Sequence, residues 1–273
     1  MMEIAASPGY SPARSITIQI ATWNVNSLRA RMSHVLDWLR ARQPDVLLLQ
    51  ELKGTEFPAL AFQELGYHSE AVTQKSYNGV AILSRSPIQT FSTALPGDGE
   101  DSHARYLEVE TAGLRVVNIY LPNGNPIGTE KFEYKLRWMD RLMEPMRQWI
   151  RADLPVVIGG DFNVIPEDID CHKPESWMRD ALFQPETRAR YRAMLAMGYV
   201  DAFRALHPDE KSFTFWDYFR QAFEHNRGIR IDHFLLTPAV AARLEACAID
   251  RSPRALEKPS DHTPVVLTLR DPG

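Results

Sequence analysis

Two short, unbroken apolar runs constrain this chain most. Val46-Leu47-Leu48-Leu49 and Val156-Val157-Ile158 carry no polar residue that could mark a wet face. Runs of this kind are strands buried on both sides, as in a sheet covered above and below. Each delivers a carboxylate: the first leads into Gln50-Glu51, the second into Gly159-Gly160-Asp161. Residues 16–23 instead alternate Ile16, Ile18 and Ile20 with Thr17, Gln19 and Ala21, the period of a strand. Asn26-Ser27 then offers a helix cap, and Met32, Val35, Leu36 and Leu39 recur at helical spacing until Gln43-Pro44 stops them. A strand–helix–strand opening implies a right-handed crossover.

Further strands are expected over residues 79–84, 103–110 and 114–120, with Gly113 at the turn of a hairpin. A helix is expected over residues 129–150, striped by Phe132, Leu136, Met139, Leu142, Met146 and Trp149. Pro145 lies inside it and should kink or break it. Residues 164–186, with Pro166, Pro174 and Pro185, read as a long loop, which in a compact domain is functional or mobile. A helix over residues 185–197, an aromatic segment over 213–219, and strands over 229–236, 246–250 and 264–269 complete the chain.

With 273 residues, 44% hydrophobic and 24% charged, the chain suits one large domain, or two intimately packed halves, with ample core. We expect one catalytic domain over residues 16–270 and a disordered tail over 1–15, where the absence of an apolar core argues against a secretory signal; an organelle transit peptide is the alternative. Cys171 and Cys247 lie in no metal-binding spacing and read as reduced thiols, consistent with a cytoplasmic, bacterial-type location. No apolar run is long enough to span a membrane. The formal net charge of −4 excludes a protein that coats nucleic acid indiscriminately, so contact with DNA would need a local basic face.

The chemistry-bearing residues cluster at strand boundaries: Thr22-Trp23-Asn24-Val25-Asn26, Gln50-Glu51, Gly159-Gly160-Asp161-Phe162-Asn163, Ile231-Asp232-His233 and Ser260-Asp261-His262. Acidic and amide oxygens suit a hard cation such as Mg²⁺. A His beside an Asp suits attack at phosphorus, and Asp232 is the candidate to hold and raise the His262 imidazole. Tyr120 ends a strand and offers a phenol. Taken singly, Glu51 also reads as a solvated strand-end carboxylate, Asn24 and Asn26 as helix caps, Gly159-Gly160-Asp161 as a tight turn, and Tyr120 as a packing aromatic. Lys53, Lys75, Arg105, Lys131, Lys173, Arg179 and Arg227 fall mainly in loops or helix starts, where phosphate contacts arise. Phe213, Phe215 and Trp216 are either core or a shelf for a flipped-out sugar. In combination these pieces point to metal-assisted cleavage of a phosphodiester.

From Ile16 to Leu269 the motifs, in this order, resemble the exodeoxyribonuclease III family of abasic-site endonucleases, within the endonuclease/exonuclease/phosphatase superfamily. They include Thr22-Trp23-Asn24-Val25-Asn26-Ser27-Leu28-Arg29, Leu49-Gln50-Glu51-Leu52-Lys53, Asn118-Ile119-Tyr120-Leu121-Pro122-Asn123-Gly124 and Gly159-Gly160-Asp161-Phe162-Asn163. The resemblance implies an α/β (α+β type) four-layer sandwich, with two mixed β-sheets packed face to face and helices outside. It implies a Mg²⁺ site, with Mn²⁺ as an alternative, at Glu51, Asn24, Asp161, Asn163 and Asp261. It casts Asp161, His262, Tyr120, Asn163 and Asp232 as catalytic. Asn26, Asn123, Arg105, Phe215, Trp216, Ile231, Lys173 and Trp177 would meet the substrate, although the loop holding Lys173 and Trp177 varies among relatives. Asn26 stands where some relatives carry an acid, which disfavours a second metal.

The implied partner is double-stranded DNA with abasic sites or blocked 3′ ends, handled by a monomer that hydrolyses the phosphodiester 5′ to the lesion and processes 3′ ends. Two other readings stay open on residues alone: a phosphatase or phosphodiesterase acting on a small ester, lipid or RNA end, and a nucleic-acid-binding module without catalysis.

Overall fold

A computed structural model describes residues 17–271; the expected tail over residues 1–15 lies outside them. The strands are β1 (Thr17–Asn24), β2 (Val46–Gln50), β3 (His68–Val72), β4 (Val80–Ser84), β5 (Gln89–Ser92), β6 (Tyr106–Thr111), β7 (Leu114–Tyr120), β8 (Val156–Asp161), β9 (Val200–Asp201), β10 (Asp232–Leu236), β11 (Leu244–Ile249) and β12 (Val265–Arg270). The helices are α1 (Leu28–Arg42), α2 (Ala59–Gln63), α3 (Glu130–Arg151), α4 (Pro185–Ala196), α5 (Ala202–Leu206) and α6 (Pro238–Ala241).

The strands form two six-stranded mixed sheets, ordered β11-β12-β1-β2-β4-β3 and β5-β6-β7-β8-β10-β9. The only parallel pairs in them are β1 with β2 and β7 with β8, each joined by a long helix, α1 and α3. The sheets pack face to face through Ile20, Val46, Leu48, Val80, Val265 and Leu267 of the first against Leu107, Val109, Val116, Val157, Phe234 and Leu236 of the second. The alternate residues point outward. Trp23, Leu47, Leu49 and Leu83 meet Val35, Trp38 and Leu39 of α1 and Phe62 of α2. On the other side, Val117, Ile119, Ile158 and Leu235 meet Trp138, Met139, Leu142, Met146 and Trp149 of α3 and Tyr191 and Met194 of α4. The result is the expected four-layer α/β sandwich, and it accounts for the apolar runs. β2 and β8 have no wet face because one side meets a sheet and the other a helix.

Among the sequence expectations, residues 114–120 match β7, and the hairpin of β6 with β7 forms. Pro145 does not break α3: the chain is helical from Glu130 to Arg151. Losing one backbone hydrogen bond there costs about 3 kcal/mol, while the stripe before and after Pro145 stays buried against the second sheet. β6 and β10 begin later than residues 103 and 229, and β3, β5 and β9 were not anticipated. β3 and β5 are short edge strands without a fully buried face, so their patterns carry little apolar period. The segment 164–186 holds two short 3₁₀ turns and is anchored by buried Ile165, Cys171 and Leu182. Among the described residues, no helix is long and apolar enough to cross a membrane.

Candidate active site

Strand periodicity decides which side chains meet. Ile20 on β1, Val116 on β7, Val157 on β8 and Phe234 on β10 all face the space between the sheets. Counting by two along each strand puts Asn24, Tyr120, Asp161 and Asp232 on that same inner face. At the strand ends the apolar filling stops, and these polar residues take its place. Glu51 follows β2 in a left-handed conformation (φ 55°), which turns its carboxylate back toward the same space.

The centre is tightly connected. Asn24 Nδ2 donates to Glu51 Oε1 at 2.8 Å and to Asp161 Oδ2 at 2.9 Å. The Asn163 backbone N–H donates to Asp161 Oδ1 at 2.9 Å. His262 Nδ1 lies 2.8 Å from Asp232 Oδ2, and its Nε2 faces Asp161 Oδ2 at 3.7 Å. Phe215 packs edge-on against the His262 ring at 5.0 Å. Glu51, Asp161 and His262 each present a ligand atom within 4.8 Å of the others. Two carboxylates and no thiolate make a donor set that fits a hard divalent cation.

The electrostatics follow from burial and neighbours. Burial alone would raise the Glu51 carboxyl, yet Lys53, whose Nζ lies 2.8 Å from Oε2, and Asn24 hold it below its ordinary value. Burial pushes the Asp161 carboxyl above its ordinary value, with Asp232 and Glu51 adding to the rise against the pull of His262. Burial opposes charge on His262, but Asp232 and Asp161 raise the imidazole to about 10, so it is a cation at neutral pH. Burial, with Glu51 and Asp161 adding to it, keeps the Tyr120 phenol protonated, hence a donor.

A cavity of about 290 Å³ opens beside this cluster, lined by Glu51, Tyr120, Asn123, Asp161, Asn163 and His262 on its polar side. Trp177, Leu182, Phe215, Ile229 and Ile231 form the apolar wall, with Asp180, Asp217 and Asp261 completing the lining. Asn26 stands at the edge, donating to Asp261 Oδ1 at 3.1 Å and accepting from Lys53. Arg105 lines a neighbouring cavity with Glu51 and Tyr120, its guanidinium 4.6 Å from the Tyr120 ring centroid.

Some expected roles do not match these positions. Asn24 turns its NH₂ group toward the Glu51 and Asp161 carboxylates while its Oδ1 accepts the Asn26 N–H at 3.0 Å, so both ends of the amide are engaged within the protein. Asn163 Nδ2 donates to Leu121 O at 2.9 Å and its Oδ1 accepts from Asn123 at 3.3 Å. Asp261 lies outside the group of three ligand-bearing residues. Trp216 is fully buried against Phe213 and Phe223 and does not line the cavity. Its neighbour Phe215 faces the cavity instead, as strand-like alternation requires. Lys173 is exposed and away from the lining.

Two residues named only as parts of motifs, Gln50 and Asn118, take a role the sequence did not assign them, and Lys135 escaped sequence reasoning altogether. Gln50 Nε2 donates to Asn118 Oδ1 at 2.8 Å between the sheets, and Asn118 Nδ2 donates to Leu49 O and Ala81 O. Lys135 is fully buried beneath the site. Its signal was present: it sits three residues after Phe132 on the apolar stripe of α3, where a charged residue is out of place.

The model of the Endonuclease/Exonuclease/phosphatase family matches residues 21–262. Exodeoxyribonuclease III of Haemophilus influenzae is 35% identical over 262 residues, covering 91% of this chain and 98% of that protein. The solved structure of the 3′ phosphatase NExo from Neisseria, bound to a product DNA hairpin, superposes with a TM-score of 0.90 at 40% identity, covering 93% of this chain and 99% of that one. An AP endonuclease from Archaeoglobus fulgidus gives a TM-score of 0.89 at 39% identity, over 93% and 99% of the two chains. Sequence, fold and the convergence of Glu51, Asp161 and His262 agree, and the chain belongs to the endonuclease/exonuclease/phosphatase family.

Proposed function

We propose that the protein is a Mg²⁺-dependent DNA repair nuclease that hydrolyses the phosphodiester 5′ to abasic sites in duplex DNA. It would also trim and dephosphorylate 3′ ends, with residues 16–270 acting as one catalytic unit. The observation that carries this reading is the placement of Glu51, Asp161 and His262, with ligand atoms within 4.8 Å, at the polar side of a cavity with an apolar wall.

Each residue then has a physical task. Asp161, its two carboxylate oxygens held by the Asn24 amide and the Asn163 backbone N–H, orients the attacking water and takes its proton. The His262 cation, held by Asp232, faces the growing negative charge on phosphorus. Tyr120 offers an O–H, and Asn163 the N–H not used by Leu121, to the scissile phosphate. Glu51, aligned by Asn24, and Asp161 would hold Mg²⁺, which when bound supplies Lewis-acid polarisation of the phosphate. Phe215, Ile231 and Trp177 wall a space suited to a baseless sugar; a nucleotide with its base would need more room.

The test is a labelled duplex carrying one tetrahydrofuran abasic analogue, incubated with Mg²⁺ or with EDTA. A Mg²⁺-dependent cut on the 5′ side, leaving a 3′-hydroxyl, is the expected result, since the analogue cannot undergo elimination. An intact duplex would overturn the endonuclease reading and direct attention to 3′-end substrates.

A further inference from the structure

Lys135 lies on α3, outside every motif named above, and is 0% exposed. Its Nζ donates to two backbone carbonyls, Pro122 O at 3.0 Å and Asn163 O at 2.6 Å. Both belong to segments that carry cavity-lining side chains. Pro122 precedes Asn123, and Asn123 Nδ2 donates to Asn163 Oδ1 at 3.3 Å. Asn163 itself is left-handed, with φ 47°, a conformation open to Asn, which turns its backbone groups toward different partners. Its N–H is held by Asp161 and its amide by Leu121 O. The remaining backbone group, the carbonyl, is held by Lys135.

The chain around Lys135 is shaped to admit it. Gly124 packs on the lysine stem, and a Cβ there would sit 2.5 Å from Lys135 Cδ. The same Gly124 has φ 86°, so the turn after Asn123 exists in the form that leaves this passage open. A long polar side chain buried on an apolar helix stripe is costly unless its donors are used. Here they are used on two loops that come from different parts of the chain.

From this juxtaposition we propose that Lys135 is a positioning residue for phosphodiester hydrolysis: it pins the Asn123 and Asn163 turns to each other and so fixes the Asn163 amide against the phosphate. The inference rests on the nuclease reading above. It predicts an effect on turnover, since small displacements of a group aligned with the reacting centre cost rate more than binding.

The experiment compares wild type with K135M, which keeps the stem and removes the donors, and with K135Q, which restores part of the donation. Thermal denaturation fixes an assay temperature at which each is folded. For K135M, kcat on the tetrahydrofuran duplex should fall about 10- to 100-fold while KM changes less than about threefold. K135Q should fall between wild type and K135M. Folded K135M with kcat within about twofold of wild type, or with the loss confined to KM, overturns the proposal. If K135M does not fold, K135Q decides by the same criterion. The side-chain amide resonances of Asn163 and Asn123 give an arm independent of activity. They should shift in the variants, and unchanged resonances overturn the proposal even if wild type fails to cut this substrate and the nuclease reading falls.

Discussion

Asp161 and Asp232 are register partners on the antiparallel pair β8 and β10, so two carboxylates leave the sheet directly opposite one another. Like charges in that relationship repel. His262 resolves the conflict by bonding Asp232 at 2.8 Å and facing Asp161 at 3.7 Å. The imidazole therefore stands between two carboxylates, and both of them favour its protonated form.

Asp161→Asn removes the proton acceptor while keeping the shape. Binding to an abasic duplex should persist, and turnover should fall by about 10²–10⁴. Gel-shift affinity and single-turnover cleavage separate the two effects. Turnover equal to wild type would remove Asp161 from the mechanism.

Glu51→Ala deletes one of the two carboxylates that Asn24 bridges. Rate and apparent Mg²⁺ affinity should fall together, by about tenfold or more in each. A Mg²⁺ titration of cleavage rate reads both, and an unchanged midpoint would place the metal elsewhere.

Gly160→Ala should be among the most damaging single changes. A Cβ at this position would sit 2.0 Å from Ile119 O, a backbone atom of the neighbouring strand that cannot rotate away. We expect a loss of at least about 3 kcal/mol in urea unfolding, or insoluble protein. Near-wild-type stability would mean that β7 and β8 separate easily.

A pH effect should originate at His233, whose ring is buried with Nδ1 2.9 Å from Arg230 Nη1 and Nε2 2.9 Å from Val164 O. Burial first, and then the Arg230 charge, pull this imidazole down to about 4. The unfolded chain takes up the proton near pH 6.5, the folded one only near pH 4, so stability falls as pH drops through that interval and levels off below it. At pH 5 the loss is about 2 kcal/mol. His233→Gln should show a flatter urea midpoint between pH 7 and 5 than wild type. Parallel curves would assign the acid sensitivity to other groups.

Asp170 bonds the buried Arg230 guanidinium at 2.7 Å and also meets Arg204. Asp170→Asn leaves two guanidinium groups short of one charge, which should cost about 3–5 kcal/mol. Differential scanning calorimetry would register it as a lowered midpoint.

Much of this was legible in the chain because strand parity writes itself into sequence. The runs at Val46-Leu47-Leu48-Leu49 and Val156-Val157-Ile158 announced covered strands, and Glu51 and Asp161 followed from where those runs end. Asp232 beside His262 was legible as a pairing but not as a distance, since 30 residues separate them. What stayed hidden depends on side-chain direction. Nothing in the sequence tells which face of an amide Asn24 offers, or that Phe215 and not Trp216 looks into the cavity. Lys135 was passed over because periodicity methods treat a lysine on an apolar stripe as noise.

The Gln50–Asn118 contact has a consequence for how such a sandwich keeps time with itself. Two sheets meeting through Val, Leu and Ile are held by a non-directional force, which specifies their alignment only through the shapes of the side chains. A single buried amide pair has one good alignment and a penalty everywhere else. It acts as an index pin, one residue away from Glu51 and two from Tyr120, so that the two leaves of the sandwich meet in the one setting where their edge residues line up.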